Sequence, residues 1–499
     1  MLPKARPVIA EDIPSFAGNV LKLVSGTTIA QAVGILITPL LTRLYAPEAF
    51  GILALFTSIT SILGVIACMR YELAIMLPKS DEEAANLLAV SLGFALALSL
   101  LTVPVVWFAQ DPLLRLLRTL DLAPYLWLVP PMVLVSGVFL ALSYWSSRTK
   151  RFGLLSIARV AGTVGTHSLK LGAGYTGYAT GGSLIGATVV GQAAATTMLA
   201  GRIWWENRHT FRQSINIPRL LRGIKLYHRF PLYSSWSALI NTVSWQLPTI
   251  LLATYFSPTV VGYYSLGFRV LQMPMSLIGS AIGQVFFQRA AQAKLEGTLT
   301  ESVEKVSQSL IRICVIPILL LTVLGKELFI VVLGTEWAEA GVYAQILSIW
   351  IIFWFVSSPL SIVIIVLEKQ DLEFRLSIMS VLMRLSALTI GGLTSSARLS
   401  ISLFAFSGVL VYGYLCFLVT TLAGIAWKHT ARAFVREFRL FIPFGVILVT
   451  LQLTIGTPWI RLIAGALVLA WHLVKLATDM EIRASLRSVQ QLSASSVDV

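Results

Sequence analysis

A chain of 499 residues that is 56% apolar, only 12% charged and has a mean hydropathy of +0.81 carries about half the charge of a soluble domain. It therefore belongs in a lipid bilayer. The net charge of +15 is read by which side of the membrane holds the Lys and Arg, and nucleic acid is set aside as a partner. Cys68, Cys314 and Cys416 each stand alone in an apolar run, which excludes a disulfide framework and a metal or redox motif.

Residues 1–19 contain Pro3, Pro7, Pro14 and two acids, and the apolar run after them has no cleavage signature. That composition predicts a cytoplasmic tail rather than a leader. A transmembrane helix needs about 20 apolar residues. That ruler places six spans near 20–42, 51–69, 84–109, 124–144, 153–174 and 181–201, an N-terminal lobe over 20–201. The basic stretch 202–232 reads as a cytoplasmic linker. Six more spans follow near 233–256, 262–286, 303–325, 341–366, 372–393 and 402–427, a second lobe over 233–427. An additional pair near 438–456 and 458–477 fills the region 428–477, and 478–499 forms a second cytoplasmic tail. The expected fold is an all-α integral membrane protein of about 14 helices. With the N-terminus inside, most of the 38 Lys and Arg fall on the cytoplasmic side, densest at Arg148, Lys150 and Arg151 and from Arg202 to Arg229.

One turn is written twice. "LYAPEAFGIL" (Leu44–Leu53) and "YFSPTVVGYY" (Tyr255–Tyr264) share an aromatic, a proline and a glycine, Pro47 with Pro258 and Gly51 with Gly262. Spans 1 and 7 are both polar (Thr27, Thr28, Gln31; Ser234, Asn241, Gln246) and carry a late proline, Pro39 or Pro248. Spans 3 and 9 both follow a capping-box pattern, Ser80 with Glu83 and Thr298 with Glu301. Six spans separate the copies, so both have the same orientation, as in a parallel repeat about an axis along the membrane normal. Such lobes suggest a transporter with its ligand held between them.

Four charges lie well inside spans, and all are cationic: Arg159, Lys170, Arg269 and Arg384. No Asp or Glu is expected deep in a span. A charge at mid-bilayer costs about 2.5–3.5 kcal/mol on insertion scales, so these cations should face a watery cavity or an anion, or else snorkel to the headgroups. Arg159, Thr163, Thr166 and Lys170 fall on one narrow helical stripe, which can line a cavity. His167 lies off that stripe, where it reads as a packing residue or a proton carrier. "GTVGTHSLKLGAG" and "GGSLIGATVVGQAAATT" permit close helix approach, and no strand precedes them to make a phosphate loop. A cationic cavity without acids selects an anion, and a pyrophosphate suits both the Arg fork and the Lys point charge. No catalytic or metal-ligating set and no cofactor motif is present.

"LLTRLYAPEAFGILALFTSI" followed by "RYELAIMLPKSDEEAANLLAVS" resembles the opening of bacterial Wzx-like oligosaccharide flippases. These form the polysaccharide-biosynthesis branch of the multidrug/oligosaccharidyl-lipid/polysaccharide exporter superfamily. The motif residues are the proline–glycine turn after span 1 and Arg70, Tyr71, Glu72, Leu77 and Pro78 before span 3. The resemblance is specific over about residues 18–100. It implies flipping of an undecaprenyl-diphosphate-linked oligosaccharide between leaflets of the bacterial inner membrane, by two six-helix lobes around a cationic cavity. Arg43 and Arg70 flank spans 1 and 2, where they would either reach the cavity mouths or serve as ordinary interfacial arginines. A polysaccharide polymerase or chain-length complex is the implied partner. Three other readings remain open: a multidrug exporter of the same superfamily, a membrane glycosyltransferase, polymerase or ligase acting on the same lipid, and a non-transporting lipid-binding scaffold. The first prefers cationic substrates, and the second needs grouped acids and bases that the sequence does not offer.

Overall fold

The computed structural model describes residues 13–275, 279–454 and 456–478. The described chain is helical throughout, with no strand among the described residues. The first lobe contains α1 (Ile13–Leu44), α2 (Pro47–Gly64), α3 (Asp81–Leu116), α4 (Val129–Arg148), α5 (Phe152–Tyr175) and α6 (Gly181–Ser214). A ten-residue helix, α7 (Ile217–Leu226), joins it to the second lobe. That lobe contains α8 (Ser235–Tyr255), α9 (Pro258–Pro274), α10 (Ser280–Glu296), α11 (Leu299–Leu333), α12 (Ala338–Leu360), α13 (Gln370–Leu393) and α14 (Ala397–Leu422). The pair α15 (Trp427–Thr454) and α16 (Pro458–Thr478) docks on α11.

Ten helical stretches among the described residues are long and apolar enough to cross a membrane. The other expected crossings fall on α5, α8, α9 with α10, and α15, which are diluted by polar residues. Over span 8 the described α-helices are α9, to Pro274, and α10, from Ser280, and residues 276–278 between them lie outside the described residues. The linker is also shorter than its basic composition suggested, because α6 runs on to Ser214 and absorbs Arg202, Arg208 and Arg212 as its polar end. Helix α1 begins at Ile13, inside the expected tail, and the rest of both tails lies outside the described residues. Two acids are buried in the protein just beyond the ends of expected spans 9 and 13. Glu327 is buried within α11 beside Arg461 (2.7 Å), and Glu437 is buried within α15 beside Arg436 (3.2 Å). Both helices extend past their apolar windows, which a hydropathy ruler cannot see. The capping pattern is half realised: Ser80 accepts from the Glu83 amide at 3.3 Å, whereas Thr298 makes no side-chain cap.

The repeated turn has a structural reason. Pro47 and Pro258 open α2 and α9 at the first helical position, where a missing N–H costs nothing. The two helices then cross at their glycines. A Cβ on Gly51 would collide with the carbonyl of Pro258, and one on Gly262 would collide with that of Pro47. The same two points lie 3.1 Å from Gly262 N and 3.2 Å from Gly51 N. The contact is reciprocal, as a pseudo-two-fold axis between the lobes requires. Lipid competes for apolar surface as well as any helix does, so helices associate in a bilayer by close approach. Only glycine allows it here.

This crossing defines one side of the molecule, the turn side; α7 marks the other, the linker side. On the turn side a continuous apolar core runs through both lobes, from Phe50, Leu55 and Phe56 to Tyr264, Trp337 and Tyr343. On the linker side the first lobe has its own core (Cys68, Tyr71, Leu87, Trp145, Leu199), which no described residue of α8–α14 joins. Among the described residues, the apolar seal between the lobes lies at the turns.

Candidate functional site

Three polar contacts reinforce the turn-side seal between lobes. Ser58 Oγ donates to Gln246 Oε1 at 3.0 Å, Trp337 Nε1 donates to the Thr42 carbonyl at 2.9 Å, and Arg118 reaches the Tyr255 carbonyl at 3.4 Å. Phe50 meets the Trp337 ring edge-on at 5.0 Å. Beneath this seal the in-span cations divide into two kinds.

Lys170 and His167, one turn apart on α5, are both buried. Across from them Arg269 enters from α9 of the other lobe. Its Nη2 and the His167 Nε2 lie 3.6 and 3.4 Å from the point where a Cβ on Gly34 of α1 would sit. Gly34 therefore leaves room for a guanidinium and an imidazole to approach α1 together. The Tyr45 hydroxyl donates to the Lys170 carbonyl at 2.7 Å, tying the end of α1 to α5. His167 Nδ1 has no partner, and among the described residues neither the Lys170 amine nor the Arg269 guanidinium has an acceptor or a paired acid. Arg269 keeps accessible surface although its surroundings are crowded. Three basic groups from two lobes thus converge with nothing to neutralise them. Sequence periodicity did not single out Arg269 and His167 as neighbours, because they lie on different helices.

The rest of the expected set is placed elsewhere. Arg159 sits further toward the linker side, half-buried, and donates to Thr27 Oγ1 at 3.3 Å. The polar stripe on α5 does not line one open surface: a Cβ on Gly191 would strike Thr166 Oγ1, so Thr166 packs into the seam with α6. Arg384 is buried inside the second lobe and fully engaged. It donates to the Ser244 hydroxyl (3.1 Å) and carbonyl (3.3 Å) and to the Tyr412 hydroxyl (2.7 Å), and it lies 4.6 Å over the Trp245 ring. Arg43 is exposed at the turn side. Arg70, on the linker side, pairs with the buried Glu72 at 3.4 Å. No group of His, Cys, Asp and Glu among the described residues could hold a metal ion.

The arrangement brings basic groups of the two lobes together without an acid among the described residues, a setting suited to an anion. Comparison with known proteins gives the family and the fold. Residues 40–342, more than half of the chain, match the model of a family described as "Polysaccharide biosynthesis protein". The teichuronic acid biosynthesis protein TuaB of Bacillus subtilis (strain 168) is 24% identical over 155 residues, which is 31% of this chain and 32% of that protein. The match thus spans about a third of the relative's length. Among solved structures, the lipid II flippase MurJ in an inward closed conformation superposes with a TM-score of 0.69 at 13% identity, covering 90% of this chain and 97% of that one. An inward-facing multidrug resistance MATE family transporter gives 0.62 at 16% identity, covering 85% and 97%. At such identities the likeness is one of fold.

Proposed function

The chain belongs to the polysaccharide biosynthesis protein family, and from that premise we propose that it flips an undecaprenyl-diphosphate-linked oligosaccharide across the bacterial inner membrane by alternating access. The observation that carries this reading is the meeting of Lys170, His167 and Arg269 from two lobes without an acid among them. A diphosphate supplies the missing negative charge, and Arg269 and Lys170 can bind it as fork and point charge. The lipid's prenyl chain stays in the bilayer while the glycan crosses between the lobes.

In this reading the linker side is cytoplasmic, because it holds the densest Lys and Arg, and both termini lie there. The described state is then sealed toward the periplasm and ready to load from the cytoplasm. Rocking about the glycine crossing would carry the headgroup outward. A polymerase or chain-length complex would take up the delivered glycan.

Deletion of the gene tests the assignment. The expected result is lipid-linked oligosaccharide retained on the inner leaflet and reduced surface polysaccharide, with drug tolerance unchanged. Unchanged polysaccharide together with lost efflux of a cationic dye would move the chain to the multidrug exporters, whose fold it shares.

A further inference from the structure

The additional helix pair carries a long face that no described residue covers. Helix α15 has 28 residues and α16 has 21, about 42 and 31 Å of helix axis. The shorter figure matches the hydrocarbon of a bilayer. The Phe444 and Trp471 rings meet at 4.9 Å and set the register between these antiparallel helices. About one turn further toward the linker side stand Arg439 and Lys475, the latter in the last turn of α16. Both therefore lie at the level of the headgroups. Helix α15 runs on past them for about three turns.

One face of α15 changes character at that level. Lys428, Arg432, Val435 and Arg439 share it on the outer side, and Ile442, Val446, Val449 and Leu453 continue it into the hydrocarbon. All eight are exposed, and all fall within about 100° of the helix circumference. The opposite face, with Phe434, Glu437, Phe441 and Leu448, is buried. There Phe441 and Leu448 pack with Ile316, Leu320 and Leu324 of α11.

The basic end of this face is unneutralised. Among the described residues Lys428, Arg432, Arg439 and Lys475 have no ion pair. The one acid of α15, Glu437, is buried and bound to Arg436 at 3.2 Å, and α14 and α16 contain none. Other linker-side cations are balanced within the protein: Arg148 by Asp81 (2.9 Å), Arg219 by Glu82 (3.1 Å) and Lys294 by Glu368 (3.3 Å). Lys475 is placed by Trp471, with its Nζ 5.5 Å from the ring centroid. Basic residues at cytoplasmic helix ends are common, but orientation in the membrane requires neither a shared face nor an apolar track beneath it.

We propose that this face binds an anionic glycerophospholipid. Arg432 and Arg439 hold its phosphate as charge-assisted forks, Lys475 adds charge at the same level, and an acyl chain lies along Ile442, Val446 and Leu453. The lipid supplies the negative charge that the protein omits here, and it fixes the depth of the pair against α11. This site lies outside the interlobe cluster of Lys170, His167 and Arg269 and does not depend on what the protein transports.

The test uses the full chain in nanodiscs, with a bimane label on Val446→Cys to report from this face. Cys68, Cys314 and Cys416 are buried and should not label. Tyr414→Cys, on an exposed part of α14, is the reference position. Brominated phosphatidylglycerol should quench the Val446→Cys label about threefold or more better than brominated phosphatidylcholine at equal mole fraction, with no such preference at Tyr414→Cys. Arg432→Gln with Arg439→Gln should remove the preference, whereas the corresponding Lys pair should keep most of it. Equal preference at both labels would mean diffuse attraction to a basic protein and overturn the site. A preference that survives the Gln pair would overturn it as well. Displacement of the quencher by a small mole fraction of undecaprenyl phosphate would assign the face to a prenyl lipid instead. If the Gln pair does not insert, salt decides: the preference should collapse at about 1 M, where the Debye length is about 3 Å, and an unchanged preference refutes the proposal. A wild type that moves no lipid-linked oligosaccharide would count against the transport reading alone.

Discussion

Two arginines of the second lobe, Arg269 and Arg384, are each a charge inside a transmembrane helix, yet their settings are opposite. Arg384 has two partners for hydrogen bonding and a tryptophan face beneath it. Its charge is already solvated by protein, and what it holds together is α8, α13 and α14. Arg269 has no such partner among the described residues and faces His167 and Lys170 of the other lobe. Leaving cations unpaired in a membrane is costly, so the arrangement makes sense where an anion visits. The difference teaches that depth in the bilayer identifies an expensive charge, while its partners tell whether the charge serves the fold or a ligand.

The largest effect expected from this contrast is at Arg269. Each charge-assisted hydrogen bond is worth about 1.5–3 kcal/mol, and reversing the charge adds repulsion. Arg269→Glu should therefore lower surface polysaccharide about 100-fold in a complemented deletion strain, normalised to membrane-inserted protein. Arg269→Lys should keep part of the activity, since it loses only the fork. Full activity of the Glu variant would end the cationic-site mechanism.

Arg384 should fail differently. Arg384→Ala removes its bonds to Ser244 and Tyr412 and its stacking on Trp245, worth together about 3 kcal/mol or more. A clearly lower melting temperature in detergent is expected, against a change below about 1 kcal/mol for Arg269→Ala. If Arg384→Ala melts normally and abolishes transport instead, the two roles are exchanged.

The contrast can be sharpened at the glycine crossing, which holds the two lobes' cations within reach of each other. Gly51→Ala forces a methyl group against the Pro258 carbonyl. Overpacking of this kind costs about 1–3 kcal/mol, so the turn-side seal should loosen and a Ser58→Cys reporter should label at least about five-fold faster. Unchanged labelling would mean that the crossing is not the gate. The smallest effect belongs to Arg43, exposed and without an ion pair among the described residues. Arg43→Gln should stay within about twofold of wild type in the polysaccharide assay, since lone surface charges contribute little. A larger loss would place a ligand contact at the turn-side mouth.

Much of the architecture was legible from the sequence, because hydropathy is additive along a chain. The apolar spans, their alternating basic loops and the turn at Pro47 and Gly51 repeated at Pro258 and Gly262 all follow from local text. The reason for the glycines was not legible: they are required by each other, 211 positions apart, where two backbones cross. The same limit applies to the site. Composition could say that Arg159, Lys170, Arg269 and Arg384 are charges that lipid will not accept. Only the tertiary structure decided that Ser244 and Tyr412 satisfy Arg384, that Lys170, His167 and Arg269 meet unpaired between lobes, and that Glu72 of the "RYE" motif is sealed away from water. The physical reason is that solvation and pairing depend on which atoms come within a few ångströms, and residues distant in sequence supply those atoms.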